Sequence, residues 1–342
     1  MFGFLNRENR ENSRAPAVEQ ARDIVGCFGK MPVHADFIKH NISTREAVSL
    51  DNWVQEGFML MSRKYGDGWK EKLAASPSYN FVWVGNEEER ILAGTLRPGT
   101  DKSGRCYPFC AFTAMDRPAL KEMQAVMPLA RGEFFDAIEA TLERPWEDGD
   151  LPAFTRALDA TTRVCADMSR RDLIEIEMSL LGDVTMAEFW EEILPGAERH
   201  IKAAFVRTLI SSLQTVARRT PQRVHWGIRL PLPSKLDTIP YVVFWVQLCE
   251  SMLSGRAWHA QYFWNEPAPG FPPRLTVFFK PVPPSYFSTL VEPHCNDGSI
   301  LDVIQELENE NTNLEGMYHI IDNESMRLVD ALQFWRAREV VQ

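Results

Sequence analysis

Gly99-Thr-Asp-Lys-Ser-Gly104-Arg105-Cys106 has the outline of a phosphate-binding loop, in which a glycine, four residues and a second glycine precede Lys and Ser/Thr. Here Arg105 stands at the lysine position and Cys106 at the hydroxyl that would hold magnesium. A phosphate cradle also needs a helix N-terminus directly after the loop. The flanking residues, Ile91 to Leu96 and Tyr107 to Thr113, read instead as strands. A turn in which Gly99 and Gly104 supply unusual backbone angles fits the segment better. Arg105 is then expected to order the turn by pairing with a carboxylate, Asp101 or Asp36.

Glu292-Pro-His294-Cys295-Asn-Asp297 carries the ligand types of a metal site. Adjacent residues without a second, spaced pair do not enclose a tetrahedral ion, so a polar loop is the expectation. Cys106 and Cys110 on one strand would stand about 13 Å apart at about 3.3 Å per residue. Zinc–sulfur bonds of about 2.3 Å exclude sharing one ion across that gap. His34 with Asp36 is the remaining acid–base pair; His40, His200, His225, His259 and His319 lack motif neighbours. Neither Gly-x-Ser-x-Gly nor His-Glu-x-x-His occurs. The residues therefore assign no catalytic group, no cofactor-binding residue and no metal ligand.

The elements that would position these clusters follow from periodicity. Ile24 to Phe28 reads as a strand ending at Gly29 and Pro32, and Ser43-Thr44-Arg45-Glu46 as a capping box. The helix it opens places Leu50, Trp53, Val54, Gly57, Phe58 and Met61 on one face. Phe81–Val84 and Ile91–Leu96 form a hairpin about an acidic turn, which demands antiparallel pairing. Helices are expected at Pro118 to Met127, around Phe134 to Leu142, from Pro152 to Cys165, after Glu198, at Tyr241 to Leu253, after a Ser299 cap, and at Ala331 to Val340. Val224 to Leu230, Tyr262 to Trp264 and Leu275 to Phe279 complete the strands. The resulting fold class is α/β: a mixed, largely antiparallel sheet with helices packed on both faces, a three-layer sandwich.

Residues 1–22 are polar and aperiodic and read as a flexible leader. Residues 23–150 form an N-terminal α/β region, and 151–305 a helical plus α/β second half into which the same sheet can continue. Residues 306–342 form an acidic tail with a terminal helix. The 342 residues carry a formal net charge of −10 and no basic patch larger than Arg170-Arg171 or Arg218-Arg219, a poor match to a phosphate backbone. Nucleic acid is not an expected partner. Six scattered cysteines read as reduced core thiols. There is no signal-peptide pattern and no apolar run approaching the roughly 20 residues a spanning helix needs. A cytoplasmic location without membrane insertion is expected; the oligomeric state is left open.

Two stretches carry a family resemblance. Gly26-Cys27-Phe28-Gly29-Lys30-Met31-Pro32-Val33-His34-Ala35-Asp36-Phe37 resembles the opening motif of the TagF (ImpM) family of type VI secretion accessory proteins. Asp101-Lys-Ser-Gly104-Arg105-Cys-Tyr-Pro108-Phe109 resembles the family's Asp-x-x-Gly-Arg-x-Phe-Pro-Leu turn. Between them, Trp53 and Asp67-Gly68-Trp69 match the family's tryptophan-bearing helices, and Trp226-Gly227 and Leu232-Pro233 echo its second half. Cys27 replaces an aromatic, Tyr107 a phenylalanine, and Ala35 a glycine before Asp36. A positive backbone angle required at that glycine would be strained by alanine. The resemblance implies a post-translational repressor of type VI secretion that engages an FHA-domain scaffold, without catalytic residues or cofactor. The motif residues Gly29, Pro32, Trp53, Gly104 and Pro108 are expected to be structural. Lys30, His34, Asp36, Phe37 and Arg105 are the candidates for partner binding. Alternatively, Asp36 caps the following turn and Phe37 anchors it in the core. Two other functions stay open: a structural or chaperone-like component, and a hydrolase of the phospho-signalling arm centred on His34 and Asp36.

Overall fold

The computed structural model describes residues 23–84, 90–115, 123–146, 150–161, 168–253, 258–292, 294, 298–307, 317–318 and 321–336. The leader, the acidic turn at 86–89, Cys165, Cys295, Asp297 and most of the acidic tail lie outside them. The strands are β1 (Ile24–Gly29), β2 (Ile38–His40), β3 (Tyr79–Val84), β4 (Ile91–Arg97), β5 (Phe109–Met115), β6 (Gly227–Pro231), β7 (Gln261–Asn265), β8 (Arg274–Phe278) and β9 (Ile300–Asp302). They form one nine-stranded sheet in the order β2-β1-β5-β4-β3-β7-β8-β6-β9. All pairings are antiparallel except β6 with β9. Pairing of β3 with β7 makes the sheet continuous between the two halves of the sequence. Every residue of β5 and all but the last of β4 are buried, because both faces are covered. That is why these strands read as unbroken apolar runs instead of alternating.

One face carries α1 (Arg45–Tyr65) and α2 (Trp69–Ala75). Trp53 sits at its centre, with Trp83 at 5.5 Å, Phe263 at 5.6 Å and Phe287 at 5.5 Å between ring centroids, and its indole N–H donates to Pro283 O at 3.2 Å. The opposite face carries α3 (Met127–Ala130), α4 (Gly132–Glu143), α5 (Leu151–Ala160), α6 (Arg170–Asp183), α7 (Met186–Ile193), α8 (Arg199–Arg219), α9 (Ile239–Met252), α10 (Val303–Glu306) and α11 (Leu328–Arg336). Phe134, Ile138, Leu142, Phe154 and Leu158 of α4 and α5 pack with Val25, Cys27, Phe109 and Ala111. α9 is buried on all sides, as an apolar helix in a core must be, and Trp245 there donates to Pro231 O at 2.9 Å. The layers are helix, sheet, helix, as the periodicity implies.

Several boundaries depart from the sequence reading. The α1 cap is Thr44, not Ser43: Thr44 is extended and its Oγ1 accepts from the Ala47 amide at 3.4 Å. Glu46, expected to reach back to the cap, is buried instead. Ser299 does not open the helix, because residues 300–302 are still extended and pair with β6; Asp302 is the cap, accepting from Ile304 N at 3.1 Å. Of the helix expected from Pro118 to Met127, residues 118–122 lie outside the described set. Gln124–Val126 is a 3-10 turn leading into the short α3. β5 starts two residues late, at Phe109, because the Tyr107 amide is spent on Gly99 O at 2.9 Å and Pro108 has none.

Candidate functional site

The two motif segments, far apart in sequence, meet at one end of β1 and β5. β1 ends at Gly29, whose φ is +118°; a Cβ there would stand 2.1 Å from Pro108 O. Only glycine lets the chain turn so close to the segment entering β5. The next residues form a tight turn, with Pro32 at its second position and His34 N donating to Met31 O at 3.2 Å. Met31 and Val33 point into the core, while Ala35, Asp36 and Phe37 stay exposed.

Asp101 is the hub of the second segment. Its Oδ1 accepts from the amides of Ser103 and Arg105, each at 2.9 Å, and its Oδ2 accepts from Lys30 Nζ at 2.9 Å and Arg105 Nε at 2.7 Å. A carboxylate bonding the amide two residues on is the usual Asx device for closing a turn. Gly104 (φ +78°) supplies the left-handed position, whereas Gly99 has no positive φ; a Cβ there would meet Lys30 O at 2.3 Å. Burial alone would raise the Asp101 pKa. The bonds from Lys30, from the Arg105 amide and guanidinium and from Ser103 outweigh it, holding the carboxyl well below the usual carboxylate range.

Further bonds lace the two segments together. Lys102 N donates to His34 O at 3.1 Å, and Arg105 Nη2 donates to Ala35 O at 2.5 Å while lying 4.0 Å from Asp36 Oδ1. Arg105 thus pairs chiefly with Asp101, on a strand–turn–strand path that ends in β5, with no helix to cradle a phosphate.

The candidates therefore separate by position. Lys30 is only 5% exposed; it stands behind the loop, its ammonium on Asp101 and 4.8 Å from the Phe37 ring centroid. Phe37, by contrast, is 48% exposed, so it does not anchor in the core. Its ring meets Tyr107 at 4.8 Å, Tyr107 meets Phe58 at 4.8 Å, and Phe58 meets Trp69 at 5.1 Å. This edge-on ladder ties the loop to α1 and α2. Asp36 caps only locally, accepting from the Phe37 amide at 2.8 Å. Ala35 does not have positive φ; among the described residues only Asn41 and Thr220 do so apart from glycines, so alanine here does not meet the left-handed strain that a glycine requirement would impose. Tyr107 and Phe58 belong to the site although sequence reasoning did not select them, whereas Asp101 was expected there only as a partner of Arg105 and also takes Lys30. The Asp-x-x-Gly-Arg spacing was the available signal for Asp101; the aromatic ladder had none.

The other clusters stay apart. Glu292 pairs with Lys72 at 2.7 Å, His294 Nδ1 lies 3.3 Å from Gln305 Nε2, and Cys295 and Asp297 lie outside the described residues. Cys110 is fully buried and Cys106 precedes the strand. Among the described residues no three potential ligands converge as a metal site, and no helix is long and apolar enough to cross a membrane.

Residues 26–161 match the family described as TagF N-terminal domain, Type VI secretion system-associated. Among solved structures, the crystal structure of PA0076 from Pseudomonas aeruginosa PAO1 is similar at 14% identity and a TM-score of 0.47, covering 80% of this chain and 96% of that one. No curated protein matches the chain.

Proposed function

We propose, from the premise that residues 26–161 form a type VI secretion-associated TagF N-terminal domain, that the chain is a non-catalytic repressor of secretion-system assembly. It acts by binding the FHA-domain scaffold of that system, in the cytoplasm. The observation that supports this best is Phe37, 48% exposed on a loop laced to a second segment by buried and backbone bonds. Aromatic residues are the usual anchors of protein interfaces. A loop already held rigid loses little further entropy on binding. FHA domains read phosphorylated or acidic motifs through arginine clusters, and the carboxylate of Asp36, beside Phe37, is 73% exposed.

The test is titration of the full chain against the FHA-domain protein of its own secretion system. Phe37→Ala should weaken binding about tenfold or more with an unchanged melting temperature, and deletion of the gene should raise secretion. Unaltered affinity in Phe37→Ala would remove the loop from the interface. Loss of secretion on deletion would instead make the protein a structural component.

A further inference from the structure

The helices on the face opposite α1 and α2 leave a gap between α3 and α4 on one side and the start of α9 on the other. It opens into a cavity of about 640 Å³, within the range of small-ligand sites. Its floor is the sheet itself. Asn80 of β3 and Thr95 of β4 are cross-strand partners there, and Thr95 Oγ1 donates to Asn80 Oδ1 at 2.8 Å. Leu129, Phe135 and Ile239 supply apolar wall.

The charges around this cavity are unbalanced. Asp136, Glu139, Asp237 and Glu266 line it against the single guanidinium of Arg97. Among the described residues none of the five makes an ion pair. Two carboxylates keep polar neighbours: Glu266 Oε1 accepts from Thr238 at 2.8 Å, and Asp237 Oδ1 from the Ile239 amide at 2.9 Å. Partial withdrawal from water raises the Glu266 carboxyl most; the Thr238 bond opposes this, and the charges of Asp237 and Glu139 add to the rise. A cavity with a hydrogen-bonding floor, apolar walls and excess unneutralised carboxylate is complementary to one kind of guest.

We propose that this cavity binds an organic cation, an alkyl ammonium or guanidinium, with its carbon chain along Phe135, Leu129 and Ile239 and its charged head among Glu139, Asp237 and Glu266. The reading is independent of the FHA interaction. Free amines and basic side chains share this chemistry, so the experiment separates them. The full chain is titrated calorimetrically with agmatine, with spermidine, and with an end-blocked glycine tetrapeptide carrying one arginine. Saturable one-to-one binding of at least one probe is expected. Preference for the free amines identifies a small-molecule site, and preference for the peptide a socket for a partner's side chain.

The Glu139→Gln/Glu266→Gln double variant, altered only at exposed positions, should bind about tenfold or more weakly while melting like the parent. Arg97→Gln should tighten binding, and Glu71→Gln on the opposite face of the sheet should leave it unchanged. The proposal is overturned if no probe saturates, if Glu71→Gln weakens binding as much as the double variant does, or if glutamate or phosphate binds instead through Arg97.

Discussion

Lys30 and Asp101, 71 residues apart, meet at 2.9 Å with both side chains withdrawn from solvent. Removing one partner of such a buried pair costs about 3–5 kcal/mol. Since Arg105 would still serve the carboxylate, Lys30→Met should fall at the low end, about 3 kcal/mol by urea unfolding. A loss below about 1 kcal/mol would mean that the pair behaves like a solvated one.

Arg105 is more exposed, and its ion pair should contribute only about 0–1 kcal/mol. Its bond to Ala35 O, however, links the two segments. Arg105→Ala should therefore leave global stability nearly intact while amide exchange across residues 34–37 quickens. Magnesium-dependent nucleotide binding lost in the same variant would restore the phosphate-loop reading.

The depressed pKa of Asp101 has a pH consequence. Its contribution is fully present above the unfolded carboxyl value of about 4 and is lost as pH falls through the folded value. The parent should lose stability steeply below about pH 4, and Asp101→Asn should flatten that part of the curve. Parallel curves for the two proteins would contradict the hub role.

Glu250 acts with the opposite sign. Burial and the neighbouring charge of Glu177 push its carboxyl up to about 7, against the lowering effect of the Ala125 and Gln124 amides. The folded state then holds a proton the unfolded chain releases near pH 4, so this group costs stability as pH rises from about 4 to about 7. Glu250→Gln should remove that decline, leaving the variant more stable than the parent at pH 8. Equal stability of the two at pH 8 would show the carboxylate to be solvated.

Ala35→Gly restores the residue the family motif carries. Because Ala35 does not have positive φ, glycine relieves nothing and only loosens the unfolded chain. A loss of about 0.4–1 kcal/mol is expected by thermal unfolding; a gain would reveal hidden strain.

Much of the architecture was already written in residue order. Alternation and apolar runs marked the core of most strands, and helical spacing marked α1, α4, α8 and α9, because periodic burial requires periodic sequence. The sequence also carried the Asp-x-x-Gly-Arg turn and the glycine and proline that shape the Lys30 loop, since these are local backbone demands. Long-range packing decided the rest. Whether the chain at 299–302 caps a helix or pairs with β6 depends on a strand some 70 residues earlier. Lys30 and Phe37, neighbours in one loop, have opposite fates for the same reason. Lys30 is drawn inward by a carboxylate contributed from residue 101, and Phe37 is left outside because Tyr107 offers it an edge and not a pocket. The cavity between α4 and α9 had no sequence signal at all: its floor and its carboxylates come from five separate stretches of chain, which only the assembled sheet and its helices bring together.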